Sequence, residues 1–204
     1  MYSGAQVALY PMSDDFVGVI LGALSALDPY RPKFHIETDD LTTLIVGPPE
    51  LLFPAMRDLF VAASSGGIHC VLSATVSRGC PGHPDDDICT PLGSVGSVSP
   101  LAGRIVAAKQ AVAEVAVTGQ DVAAHFSLYP LGEGQHMDEI YGCIDFLRES
   151  GVFDRPKNFC TKLRGDAGPV FATLSEAFLR FGAPEEGHVA MDMKISANSP
   201  SRAA

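Results

Sequence analysis

The period of the apolar–polar pattern changes along this chain in an order that the chain then repeats. Gln6 to Tyr10 alternates with period two, Val7 and Leu9 to one side and Ala8 and Tyr10 to the other. That predicts a strand, stopped at Pro11 because proline donates no ladder hydrogen bond. Ser13 or Asp14 supplies the cap of a helix in which Phe16, Ile20, Leu24 and Leu27 form the predicted buried stripe, ended by Asp28-Pro29. Lys33 to Thr38 and Thr42 to Val46 predict two strands joined by a turn at Asp39-Asp40. Gly47-Pro48-Pro49-Glu50 opens a second helix, with a stripe of Leu52, Met56, Leu59 or Phe60, and Ala63, and Gly66-Gly67 stops it. Ile68 to Ser77 alternates again. Strand-helix-strand-strand-helix-strand is the split unit of the ferredoxin-like fold.

The pattern then returns. Leu9-Tyr10-Pro11-Met12 recurs as Leu128-Tyr129-Pro130-Leu131, a spacing of 119 (129 − 10). Ile140, Gly142, Ile144 and Leu147 follow Ile20, Gly22, Leu24 and Leu27 at 120; Gly165, Phe171 and Phe178 follow Gly47, Phe53 and Phe60 at 118; His188, Ser196 and Pro200 follow His69, Ser77 and Pro81 at 119. So many anchors near one offset predict an α+β protein made of two tandem ferredoxin-like units with antiparallel sheets. The units are expected at 1–80 and 121–204. The stretch 81–120 joins them: Cys80 to Ser99 reads as a Pro-, Gly- and Asp-rich loop, and Leu101 to Val117 has the composition of a helix without a predicted place.

Composition adds limits. A hydrophobic fraction of 47% fits a globular chain, and a net charge of −10 argues against nucleic acid as a partner. The apolar run Val17 to Leu27 is too short to span a bilayer and follows acidic residues, so neither membrane insertion nor a signal peptide is expected. Five irregularly spaced cysteines give no disulfide framework, which suggests a reducing cytoplasm. No nucleophile elbow, paired Cys-x-x-Cys or glycine-rich phosphate loop is present. Cys80-Pro-Gly-His83 with Cys89 lacks the closed four-ligand pattern of structural zinc. No catalytic or metal residues are therefore assigned, and no cofactor.

A sheet with both helices on one side leaves its other side open. The open side is expected to carry Tyr10, Ser73 and Thr75 in the first unit, with Thr43 near them, and Tyr129, Asp192 and Lys194 in the second, with Thr161 near them. The same positions also suit plain sheet–sheet packing. Asp39 and Asp40 read as a turn pair, and as ligand groups they call for an amine or a cation.

These residues resemble the YkoF family of thiamine- and hydroxymethylpyrimidine-binding proteins, end to end. The resemblance rests on Leu-Tyr-Pro in both halves, Thr38-Asp39-Asp40, Ser77-Arg78-Gly79-Cys80-Pro81-Gly82, Asp166-Ala167 with Val170-Phe171-Ala172-Thr173-Leu174, and Ser196-Ala197-Asn198-Ser199-Pro200-Ser201-Arg202. It implies a non-catalytic binding protein for thiamine or its hydroxymethylpyrimidine precursor, a cytoplasmic homodimer in vitamin salvage or uptake, associated with a vitamin transporter. The expected ligand-binding residues are Tyr10, Met12, Asp40, Thr43, Ser73 and Thr75 in one unit, and Tyr129, Leu131, Thr161 and Asp192 in the other. A flat pyrimidine would lie on the tyrosines beside Met12 or Leu131. The neutral Ser73–Thr75 pair against the charged Asp192–Lys194 pair predicts tighter binding in the first unit. Two competing readings are an ACT-like regulatory protein that binds an amino acid, and a small ferredoxin-like enzyme of the dimeric-barrel kind.

Overall fold

Both predicted units are present, and they join along one edge. The computed structural model describes residues 3–79, 99–131, 137–181 and 188–202; the Cys80–His83–Cys89 segment weighed above as a metal site lies outside them. The first unit comprises β1 (Ser3–Pro11), α1 (Phe16–Leu24), β2 (His35–Thr38), β3 (Thr43–Val46), α2 (Pro49–Ala63) and β4 (Cys70–Arg78). After α3 (Leu101–Glu114), the second comprises β5 (Asp121–Leu131), α4 (Met137–Glu149), β6 (Phe153–Lys157), β7 (Cys160–Asp166), α5 (Ala167–Phe181) and β8 (His188–Ala197). The chain is a tandem repeat of the ferredoxin-like fold.

The eight strands make one antiparallel sheet in the order β2-β3-β1-β4-β8-β5-β7-β6. In an isolated unit β4 would be an edge, with a row of unpaired backbone groups. Here β4 pairs with β8 from Cys70↔Ala197 to Arg78↔Val189. The repeat offset of 119 maps Ala74 onto Met193, and those two residues face each other in the register, so a pseudo-twofold axis passes between them. The outer edges are short or irregular: β2 has four residues, and β6 carries a register shift, Pro156, Arg155 and Lys157. Such features discourage further strand addition.

Among the described residues, all five α-helices pack on one side. Alternate residues of β4 (Cys70, Leu72, Ala74, Val76) and β8 (Val189, Met191, Met193, Ile195) are buried beneath α2 and α5. The rings of α2 meet those of α5 across the axis, Phe53 against Phe178 and Phe60 against Phe171. The stretch 101–114, which the pattern left unplaced, is a helix in this layer, packed on α4 and α5. Leu101 fits there because Gly142 has no side chain: a Cβ at Gly142 would come within 2.5 Å of Leu101.

Three details of the first helix differ from expectation; its N-cap is Asp15, whose carboxylate accepts from the Gly18 amide, and not Ser13 or Asp14. The α-helix ends at Leu24 and the chain continues as 3-10 turns through Asp28-Pro29 to Lys33, since proline lacks the amide that an α-helical ladder needs. Phe16 is not part of the buried stripe; it is 54% exposed, whereas Leu27 is fully buried and Ile20 and Leu24 are half-buried.

Asp166 ties α5 to the turn that precedes β5. Its carboxylate accepts from the amides of Thr118, Gly119 and Gly168 and from the Thr118 hydroxyl. Burial opposes ionisation, but those hydrogen bonds outweigh it and hold the carboxyl below the usual aspartate range. A depressed carboxyl contributes stability above the unfolded-state pKa of about 3.9, and that contribution is lost as pH falls through the folded-state value. Asp166→Ala is therefore expected to destabilise at pH 7, with the gap to wild type narrowing toward pH 2 in urea titrations. A gap independent of pH would refute this role.

Candidate functional site

The candidate residues divide between two sides of the sheet. Opposed residues in a ladder share a face. In β1, Gln6, Ala8 and Tyr10 oppose Thr75, Ser73 and Val71 of β4. In β5, His125, Ser127 and Tyr129 oppose Lys194, Asp192 and Ala190 of β8. All lie on the side without helices. Tyr10 is 52% exposed and Tyr129 49%, so neither points into the helix-packed core. Leu131 belongs to the same alternation, and Met12, just past β1, is also exposed.

The pairs that the two units contribute are neighbours. Ser73 opposes Lys194 and Thr75 opposes Asp192 across the β4–β8 seam, so four residues expected in separate places form one patch. Lys194 Nζ and Asp192 Oδ1 are 3.1 Å apart, the pairing with each other that their chemistry suggests.

Thr43 and Thr161 are corrected by the register. Thr43 opposes Val7, and Thr161 opposes Phe126, both buried beneath the helices. These threonines therefore occupy the helix side, through the sheet from Tyr10 and Tyr129. The sequence places β3 and β7 as strands but does not fix their pairing, and a shift of one residue exchanges the faces.

On the helix side, Thr43 and Asp40 line a cavity of about 150 Å³ between α1 and the β2–β3 hairpin. Its apolar wall is Val7, Leu9, Ile20, Leu24 and Leu59, and its polar rim runs from Thr38 to Thr43. Ile20 and Leu24, read from spacing as core, are half-buried because they face this space. Thr38 and Thr43 approach through their hydroxyls at 3.0 Å. Asp39 shapes the turn: its carboxylate accepts from the amides of Thr42 at 2.7 Å and Leu41 at 2.8 Å. Those amides, Thr42 first, hold its carboxyl below the usual aspartate range, so the turn keeps its negative charge. Asp40 beside it has no hydrogen bond or ion pair among the described residues and stays available. The corresponding turn of the second unit reads Lys157-Asn158-Phe159 and carries no carboxylate.

The open side of the second unit holds a larger cavity, about 330 Å³, lined by His125, Lys157, Lys162, Arg164 and Lys194 among others. It includes neither tyrosine. Among the described residues no group of His, Cys, Asp and Glu side chains is arranged to hold a metal ion, and no helix is long and apolar enough to cross a membrane.

Comparison with known proteins agrees with this architecture. The model of the family described as "YKOF-related Family" matches residues 2–83 and 121–202, one match per unit. A protein of Bacillus subtilis (strain 168), named "Putative HMP/thiamine-binding protein YkoF", is 33% identical over 202 residues, covering 98% of this chain and 92% of that one. The chain belongs to the YKOF-related family.

Proposed function

We propose that this protein binds hydroxymethylpyrimidine, free or as part of thiamine, without turning it over, in the cavity between α1 and the β2–β3 hairpin. The observation that carries the reading is the composition of that cavity: an apolar wall of Val7, Leu9, Ile20, Leu24 and Leu59 faces a rim of hydroxyls and carboxylates. An aminopyrimidine has flat apolar faces, an amine donor and ring-nitrogen acceptors, which this division matches. About 150 Å³ is half the roughly 300 Å³ at the low end for drug-sized ligands, enough for one substituted ring. The second ring of thiamine, a cationic thiazolium, would then rest at the mouth beside Asp39 and Asp40. The name of the Bacillus subtilis relative supports the same ligand class. A place in vitamin salvage or uptake, as a cytoplasmic homodimer, extends the reading.

The ligands differ in charge, and that makes the site testable. Asp40→Asn is expected to weaken thiamine binding severalfold and leave hydroxymethylpyrimidine unchanged. Thr43→Val, which removes a hydroxyl from the wall, is expected to weaken both by roughly 2- to 10-fold, the equivalent of one hydrogen bond of about 0.5–1.5 kcal/mol. Titration calorimetry checks both. Binding that survives Thr43→Val and is lost in Tyr10→Ala would move the site to the open face. The missing carboxylates in the second unit give a further reason for tighter binding in the first.

A further inference from the structure

The open face of the second unit gathers basic side chains around one cavity. Lys162 of β7 opposes His125 of β5, which opposes Lys194 of β8, so three basic side chains stand in one row across adjacent strands. A charged His125 would directly oppose a lysine on either side, so the row disfavours its protonated form. Arg164 and Lys157 line the same cavity, and so does Ser196, whose hydroxyl lies 3.2 Å from His69 Nε2. Carboxylates answer part of this charge: Asp154 pairs with Lys162 at 2.8 Å and Asp192 with Lys194 at 3.1 Å. Among the described residues no carboxylate lies within ion-pair distance of Lys157 or Arg164. Asp121 also lines the cavity and has a partner of its own. All this sits in a chain whose net charge is −10.

The first unit shows that the fold does not require such a row. The positions equivalent to Lys162, His125 and Lys194 are Leu44, Gln6 and Thr75, which oppose each other in the same register. Val46 stands where the second unit has Arg164, and Asp39 where it has Lys157. One duplicated scaffold thus carries a neutral row in one half and a cationic pocket in the other. Unlike a flat charged face, this group lines a half-open cavity with room for a phosphate and a small organic group attached to it.

We propose that this cavity is a site for a small phosphate-bearing anion, held by Lys157, Lys162, Arg164 and Lys194 with Ser196 as a hydroxyl donor. Lysine and arginine satisfy phosphate oxygens through charge-assisted hydrogen bonds, and an anion at the centre of the row removes its like-charge repulsion. The site is separate from the vitamin cavity, which lies on the other side of the sheet in the other unit. The anion is either free phosphate or the phosphate of a phosphorylated small molecule.

His125 reports occupancy. Burial, and then the charges of Lys157, Lys162, Lys194 and Arg155, hold its pKa below the usual histidine value. The charged groups facing it are Lys162 and Arg164 on β7, Lys194 and Asp192 on β8, Arg155, Lys157 and Asp154 on β6, and Asp121 on its own strand. A bound anion opposes the cations and raises that pKa.

The test is calorimetric titration of the full chain at low ionic strength with inorganic phosphate, thiamine monophosphate and thiamine, beside an NMR titration of His125. The comparison protein is the double variant Lys194→Thr and Arg164→Val, which installs the first unit's residues and is checked for folding by thermal melting. One phosphate per chain, an upward shift of the His125 pKa, and at least tenfold weaker binding in the variant are expected. Monophosphate binding much tighter than phosphate, and lost in the variant, identifies a phosphorylated ligand; equal affinities identify free phosphate. Absence of phosphate and monophosphate binding at millimolar concentration, binding unchanged in the variant, or an unmoved His125 would overturn the proposal. Thiamine binding that responds to Thr43→Val but not to the double variant reports on the vitamin cavity alone, so the two readings fail independently.

Discussion

Replacing Arg104 with methionine should destabilise the protein by about 3–5 kcal/mol, the range for breaking one side of a buried ion pair. Arg104 projects from α3 with a side chain only 9% exposed, and Glu139 on α4, its partner, is 18% exposed. Both guanidinium ends engage the Glu139 carboxylate, while Nε donates to the Ser99 carbonyl and one terminal nitrogen also donates to the Arg180 carbonyl. The guanidinium lies over the ring of Phe181, 5.9 Å from its centroid. One side chain thus fixes α3 against α4 and the end of α5. The cost comes mainly from stranding the Glu139 charge away from water, so Arg104→Met with Glu139→Leu should recover much of the loss. Urea denaturation of the single and double variants measures both. A single variant within about 1 kcal/mol of wild type would mean that the pair behaves as a solvated one.

That helix shows where sequence reasoning stopped. Leu101 to Val117 has helical composition, but a buried arginine is invisible without its partner, and nothing local links Arg104 to Glu139 35 residues away. The repeat was legible because its signals are local: strand period, prolines at strand ends, glycines after helices, and one offset between copies. The β4–β8 seam follows from that duplication only once the edges are seen to meet. The candidate site was legible by residue type rather than by face. Tyr10, Ser73 and Thr75 alternate within their own strands, so their side of the sheet could be inferred. Thr43 and Thr161 depend on pairing with another strand, and the register sets them opposite Val7 and Phe126. The cavity between α1 and the β2–β3 hairpin went unseen because Ile20 and Leu24 have the spacing of core residues, and spacing cannot distinguish a filled core from the wall of a pocket. The cationic row shares that limit: Lys162, His125 and Lys194 are far apart in sequence and meet only in the sheet.

The four phenylalanines on the pseudo-twofold axis should make the two halves unfold as one. Phe53, Phe60, Phe171 and Phe178 are at most 1% exposed. Phe53 lies 5.6 Å from Phe178 and Phe60 lies 6.1 Å from Phe171 between ring centroids, so each ring packs on a ring of the other unit. The repeat offset of 118 makes Phe53 equivalent to Phe171 and Phe60 equivalent to Phe178, so the two contacts are the symmetry-related pair that an isologous interface generates. Truncating any one to alanine removes a buried ring and leaves a cavity, at about 3–5 kcal/mol. Because the lost contact belongs to both units, Phe53→Ala and Phe171→Ala should lower stability by similar amounts, within about 1 kcal/mol. Each should keep a single transition in which circular dichroism and tyrosine fluorescence coincide. The β4–β8 ladder works in the same direction, since separating the units would expose two full strand edges together with the aromatic cluster. Two resolved transitions, with a variant in one half shifting only one of them, would show instead that each unit holds a sufficient core of its own and that the seam is a docking contact between finished domains.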